Sequence, residues 1–532
     1  MRINKNIILS ALLGTFLLSS CDNGFEEMNV DPNNPEVVPT FTIFNAATKR
    51  LMDESRDGWV SGRMVLPWVQ YSAQRNYVEE DKFLYRTTTG DQAWNQVYRS
   101  IHNFKTIIDL CTNPETSGEM ANYGDLQSQI GVSRIMLAYS FAELANYFGD
   151  VPYWSYSDMD NPDFQALNID KYPQPKYVSQ EVIFKNILLE LKEAEAQIDA
   201  DAQVFVSQSN GLNGDKIYDG DAAKWKKFAN SLRLRIANQI KGVYPAAQAE
   251  IQDAIAKGVF TSNSDNAVQH YGNSTAEGSP FWAEFFGASP RNDFFINNQF
   301  VKLLKGETGS FGKDPRLKKM AAPFGTSKAN VGSGNYSETD DYSKYQGMPY
   351  ALPQSLLTAN NSVNKLSPFS SNILKASYGE VLMEYAEVEF LLAENNGWAQ
   401  ANYLNGVQAS LSKWGVSDSE IATYVAALPA ANKENVLTQK YIALFMQPQT
   451  AWVEFRRTGY PNNTILLFPN AQTKDLNGTT YTFTSLVDGM TRMPSRIAYP
   501  LSEQTLNSSN WSEAVTTYGG QDKIDGKLWW MP

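Results

Sequence analysis

Residues 130–154, IGVSRIMLAYSFAELANYFGDVPYW, decide the fold. Ile130, Arg134, Leu137, Phe141 and Leu144 recur at steps of four, three, four and three, which places them on one side of a helix. Ala138, Ala142 and Ala145 line an adjacent face, where small side chains let a neighbouring helix approach closely. Gly149 then offers a left-handed cap and Pro152 a stop. The stretch is expected to be one of several long helices packed in pairs.

Working outward, the same device returns after Ser377, which reads as a capping box with Glu380 ahead of Val381, Tyr385, Val388 and Leu392. Ala386 and Ala393 supply the close face there. Helical periodicity also covers 91–110, 180–199, 221–241, 401–414 and 433–447, the last ended by Pro448. Trp225, Phe228 and Leu232 sit at helical spacing and read as core. The fold class is therefore mostly α, a tetratricopeptide-like scaffold of helical pairs, although no strict repeat of about 34 residues with the consensus pattern is present. Between about 261 and 375 the helical period fades into a Gly-, Asn- and Ser-rich block. Such a long irregular insertion on a rigid scaffold is expected to form a binding face.

At the start of the chain, Arg2 and Lys5 lead an apolar run from Ile7 to Leu18. At ~1.5 Å per residue the run spans ~18 Å, short of the roughly 30 Å hydrocarbon core of a membrane. Residues 1–20 thus read as an export signal. Leu18-Ser19-Ser20-Cys21 has the arrangement of a bacterial lipobox, so Cys21 is expected to be acylated and to anchor the mature chain in outer-membrane lipid. Residues 21–40, polar and punctuated by Pro32, Pro35 and Pro39, read as a flexible tether, and residues 41–532 as a single domain. Loss of residues 1–20 removes two basic and no acidic side chains, leaving 43 basic against 57 acidic groups and a net charge of −14. That balance argues against nucleic acid as a partner and disfavours a strongly anionic glycan. With Cys21 acylated, only Cys111 remains, so no disulfide framework is available.

These landmarks together resemble the SusD/RagB family of nutrient-binding outer-membrane lipoproteins of Bacteroidetes, and its SusD-like 2 branch in particular. The resemblance rests on the lipobox followed by Asp31-Pro32-Asn33-Asn34-Pro35, on Ala145 to Trp154, and on Gly220-Asp221 with Lys224-Trp225 and Phe228 to Arg235. It continues through Glu380 to Glu394, Trp452 to Arg457, Arg496 to Pro500 and Trp529-Trp530. It implies a helical lid on a SusC-like TonB-dependent transporter that passes oligosaccharide or peptide inward. It also implies surface exposure, to which the acidic Asp22, Glu26 and Glu27 conform. Arg456 and Arg457 are expected to pair with a carboxylate or cap helix carbonyls.

Enzymatic readings find little support. His102 and His270 are the only histidines, too far apart for a zinc pair on one helix, and no Gly-x-Ser-x-Gly elbow occurs. Ser410-Leu411-Ser412-Lys413, Ser264-Asp265-Asn266 and Arg457-Thr458-Gly459 approximate the motifs of penicillin-recognising enzymes, but in the wrong order. A calcium loop over Asp215–Lys226 fails at Ile217 and Lys226. No catalytic residue, metal or cofactor is therefore expected. The competing function is a glycoside hydrolase, which needs only two carboxylates at ~5–10 Å. For a binding protein, two segments mix aromatic and polar residues away from obvious helix faces. One offers Trp68, Tyr71, Tyr77, Phe83 and Tyr85; the other offers Phe281, Trp282, Tyr342 and Tyr345.

Overall fold

The computed structural model describes residues 38–206 and 214–532. Cys21, its expected lipid and most of the tether lie outside the described residues. Six helices form a stack in which each packs on the next along the chain: α1 (Thr40–Ser55), α2 (Thr87–Thr112), α3 (Leu126–Phe148), α4 (Gln180–Gln197), α5 (Ala222–Ile240) and α6 (Ala247–Lys257). A short helix, α7 (Pro280–Phe286), stands in the irregular block. A second helical group follows: α8 (Tyr385–Asn395), α9 (Gln400–Lys413), α10 (Asp418–Ala426), α11 (Lys433–Ala443) and α12 (Pro448–Thr458). Helix α8 joins the two groups by packing against α5. Among the described residues, no helix is long and apolar enough to cross a membrane.

Helix α3 is the centre of the stack. Every residue from Ser128 to Ala145 is buried, as expected of a helix with neighbours on several sides. The Asp125 carboxylate accepts from Ser128 N at 2.7 Å and caps its first turn. Arg134, though on the buried stripe, reaches Glu190 at 2.6 Å and Glu193 at 2.9 Å on α4, so its charge is paired. At the far end Gly149 adopts φ +100°, and a Cβ there would overlap the Tyr518 hydroxyl. Pro152 does more than end the helix, since Val151–Pro152 forms β2 of a short ladder.

Four two-stranded antiparallel ladders tie distant segments together: β1 (Ser72–Gln74) with β5 (Phe294–Ile296), β2 (Val151–Pro152) with β3 (Tyr177–Val178), β4 (Ala267–Gln269) with β6 (Glu380–Met383), and β7 (Gln472–Lys474) with β8 (Thr480–Thr482). Two expectations are corrected here. The helix read from a Ser377–Glu380 capping box begins only at Tyr385, because Glu380–Met383 pairs with β4 and Val381 is a strand residue opposite Val268. Helix α11 ends at Ala443, and Pro448 opens α12 in its first turn, where a missing N–H costs nothing. The block from 261 to 375 is irregular but not a detached loop: it holds β4, β5 and several short helices, and its apolar side chains join the main core.

Glu380 is buried, accepts from Ser279 Oγ at 3.1 Å, and has its carboxyl pushed up to about 8, mainly by burial. The fold holds this proton more tightly than the unfolded chain does, where the ordinary value is 4.5. Its contribution therefore favours the fold below about pH 4.5 and is lost as pH rises to about 8. Glu380→Gln should lose less thermal stability than the native chain between about pH 5 and about pH 8.5. Equal losses in melting curves would refute this.

Candidate ligand-binding site

Pairing of Ser72 with Ile296 and of Gln74 with Phe294 brings the two aromatic segments side by side. Just beyond the ladder, Arg75 N donates to Asp293 O at 2.9 Å and Asn76 Nδ2 to Asp293 Oδ1 at 2.6 Å. This holds Tyr77 at the surface, 41% exposed. The second contributor is the end of α1. There Asp57 accepts from Trp59 N at 2.9 Å and Val60 N at 2.7 Å, capping a π-helical turn over Val60–Val65. Such turns are frequent at functional sites. This one presents Arg63 between two rings, its guanidinium 4.8 Å from both Trp59 and Tyr77.

Charge is balanced around these rings. Arg63 stands 3.6 Å from Glu80 and 3.7 Å from Asp293, yet its three guanidinium nitrogens make no hydrogen bond among the described residues. Arg86 and Arg291 also approach Trp59, at 5.3 and 5.5 Å. Arg291 pairs with Glu284 at 3.1 Å. Gln92 Nε2 bridges Glu54 and Asp57 at 2.7 and 2.8 Å. Burial pushes the Asp57 carboxyl up to about 7 and raises those of Glu80 and Glu284, against the pull of Arg63 and Arg291 on the latter two. On α7, Glu284 abuts Gly58. Trp282 and Phe286, four residues apart, stack at 6.1 Å and are both half-buried. Trp59 and Tyr77 thus form a platform of partly exposed rings set among guanidinium and carboxylate groups, with the Trp282–Phe286 stack on the face of α7 turned away from Glu284. It suits a neutral, hydroxyl-rich or amide-bearing ligand.

Of the residues expected to bind ligand, Tyr77 is exposed, and Trp282 and Tyr85 are half-buried, the Tyr85 hydroxyl accepting from Ala498 N at 3.0 Å. The others are core. Trp68 packs edge-on to Trp452 at 5.2 Å, Tyr71 donates to Tyr441 O at 2.5 Å, and Phe83 meets Phe483. Phe281 is wholly buried against Phe285 and Phe369. Tyr342 donates to Asp314 O at 2.8 Å and Tyr345 to Thr339 O at 3.0 Å, both from buried positions. None of these six offers a free ring face. Trp59, Arg63, Phe286 and Arg291 were not singled out in the sequence; the available signal was the Asp57-Gly58 turn directly before Trp59.

The enzyme-like motifs also resolve. Ser410 is buried and its hydroxyl accepts from Arg316 at 2.9 Å, while Lys413 is paired with Glu384. Asp215 accepts from the backbone N–H groups of Ile217, Tyr218 and Gly220, a turn rather than an ion loop. Arg457 pairs with Glu394 and Glu454, whereas Arg456 donates to the carbonyls of Asn146 and Ser495. No group of three His, Cys, Asp or Glu among the described residues could hold a metal ion.

Arg63→Ala would leave Glu80 without its buried counter-charge and Asp293 with Arg291 alone, and should cost about 3 kcal/mol in urea unfolding. Tyr77→Ala should stay within about 0.5 kcal/mol of the native chain. Comparable losses would mean that Tyr77 is structural after all.

Comparison with known proteins places these features in context. A SusD-like family model, described as starch-binding and associating with the outer membrane, matches residues 32–500. Among solved structures, a chitin-binding protein is 26% identical with a TM-score of 0.68, covering 92% of this chain and 99% of its own. A SusD homologue from Bacteroides fragilis is 21% identical with a TM-score of 0.72, covering 93% and 100%. One from Parabacteroides distasonis is 20% identical with a TM-score of 0.70, covering 92% and 98%. No curated protein sequence matches the chain.

Proposed function

The chain belongs to the SusD-like family, described as starch-binding and associating with the outer membrane, and from that premise we propose that it captures an oligosaccharide, or a peptide, at the cell surface and delivers it to a SusC-like TonB-dependent transporter. Residues 41–532 are the binding body, held to the membrane by lipid on Cys21 and by the tether of residues 21–40. The observation that carries the reading is the platform on which Trp59, Arg63 and Tyr77 converge. Rings bind the apolar faces of sugars, and the more exposed Arg86 and Arg291 beside Trp59 direct hydroxyls, while the buried Arg63 fixes the rings from beneath.

The carboxylates favour binding over glycoside hydrolysis. Asp57 is held by two backbone N–H groups and Gln92, Glu80 by Gln74, Asp293 by Asn76, and Glu284 by Arg291. Each is engaged in holding the frame around the rings. The similar chitin-binding protein makes chito-oligosaccharides a natural second probe beside maltooligosaccharides.

Calorimetric titration of the mature chain with both series should show binding to at least one without release of reducing ends. Alanine at Trp59, Tyr77 and Trp282 together should weaken it at least tenfold with an unchanged circular-dichroism spectrum. Turnover, or unaltered affinity in the folded triple variant, would overturn the reading. In cells, Cys21→Ala should release the protein from the membrane fraction and abolish uptake; undiminished uptake would make the anchor dispensable.

A further inference from the structure

A second groove, distinct from the platform, is built on α2. This helix presents two parallel ridges at four-residue steps, Trp94–Tyr98–His102 and Asn95–Arg99–Asn103, and both line a cavity of about 570 Å³. That volume lies within the range of small-ligand sites. Tyr98 is preorganised: Trp94, buried against Phe148 at 5.1 Å, backs its ring at 5.0 Å, and the Tyr98 hydroxyl donates to Pro152 O at 2.6 Å. Leu167 and Ile169 line the cavity too, Ile169 being 61% exposed, an apolar side chain left in solvent where a ligand would cover it.

The polar side chains of the groove are uncommitted. Among the described residues, the side chains of Asn95, Arg99, His102 and Asn103, and of Arg50 contributed by α1, make no hydrogen bond or ion pair. The single lining carboxylate, Glu503, already accepts from Tyr177 Oη at 2.7 Å and Asn507 Nδ2 at 3.4 Å. In a chain of net charge −12, two free guanidinium groups and amide donors therefore face one engaged carboxylate beside aromatic and aliphatic walls. The neighbouring cavity of about 730 Å³ is a contrast, for there Lys176 is paired with Asp163 at 2.6 Å and Asp150 and Glu513 add negative charge.

We propose that the α2 groove binds a sugar residue carrying one anionic group, a carboxylate or sulfate ester, with Arg50 and Arg99 holding the anion and Tyr98 with Leu167–Ile169 taking the sugar ring. The net negative charge of the protein restricts the preference to a locally placed single charge rather than a polyanion. The groove shares no residue with the platform, so it stands or falls independently of the function proposed above.

The test is calorimetric titration of the full mature chain at low salt with a galacturonate disaccharide, a sulfated galactose disaccharide, their neutral counterpart and inorganic sulfate alone. At least one anionic disaccharide should bind tenfold or more tightly than the neutral one; which of the two prevails tells carboxylate from sulfate. That preference should vanish in Arg50→Gln/Arg99→Gln and persist in Trp59→Ala/Tyr77→Ala, with Leu167→Ala weakening the sugar without removing the charge preference. Equal affinity for neutral and anionic disaccharides, a preference retained in the double arginine variant, loss tracking the platform variant instead, or inorganic sulfate binding as tightly as the disaccharides would each overturn the proposal.

Discussion

The grip of Arg235 on Glu387 is the contact on which the rest of the architecture depends. Arg235 Nε and Nη2 reach the two Glu387 oxygens at 2.7 and 2.5 Å, and Nη2 also donates to Leu382 O at 3.0 Å. The pair is buried, and breaking such a pair costs about 3–5 kcal/mol because the remaining charge has no water to turn to. It locks α8 to α5 and therefore joins the helical stack to the second helical group. Leu382 belongs to β6, so the same guanidinium also sets where that strand lies when it meets β4. The chain leaving β4 must then return to a fixed point more than a hundred residues later. The block between is free in path but not in its ends, and it folds back over the core to place β5 against β1.

Helix α3 was readable because its local pattern and its packing agree: a continuous apolar helix with small faces is what a central position requires. Tertiary pairing overrode local pattern at Ser377–Glu380, where a plausible capping box yields to a strand whose partner lies over a hundred residues away. Sequence periodicity carries no information about that partner. The aromatic segments show the same limit. Trp68 and Tyr71 stand among Gln70, Ser72 and Gln74 and so resemble a surface platform, yet both are fully buried. Tyr441 and Trp452, on helices more than 350 residues downstream, and Phe445 in the turn between them cover the rings. Tyr77 stays outside because the chain leaves the ladder at Asn76. Trp59 escaped notice because its place is set by a turn and a π-helical segment, neither of which has an apolar period.

The proposed platform and the proposed α2 groove are built in two different ways on one scaffold. In the platform, each charged group holds another: Asp293 fixes Asn76, Arg63 stands between Asp293 and Glu80, and Asp57 caps the turn that carries Arg63. Side chains there are positioned by the same contacts that stabilise the fold, so geometry is rigid and substitutions are coupled. In the groove, the ridges are spaced by the helix itself, and the polar ridge takes no part in holding the structure. Its side chains can change without disturbing the frame. A protein assembled this way can keep a fixed primary surface through Arg63 and its carboxylates while the exposed face of α2 varies with the chemistry of what it must retain.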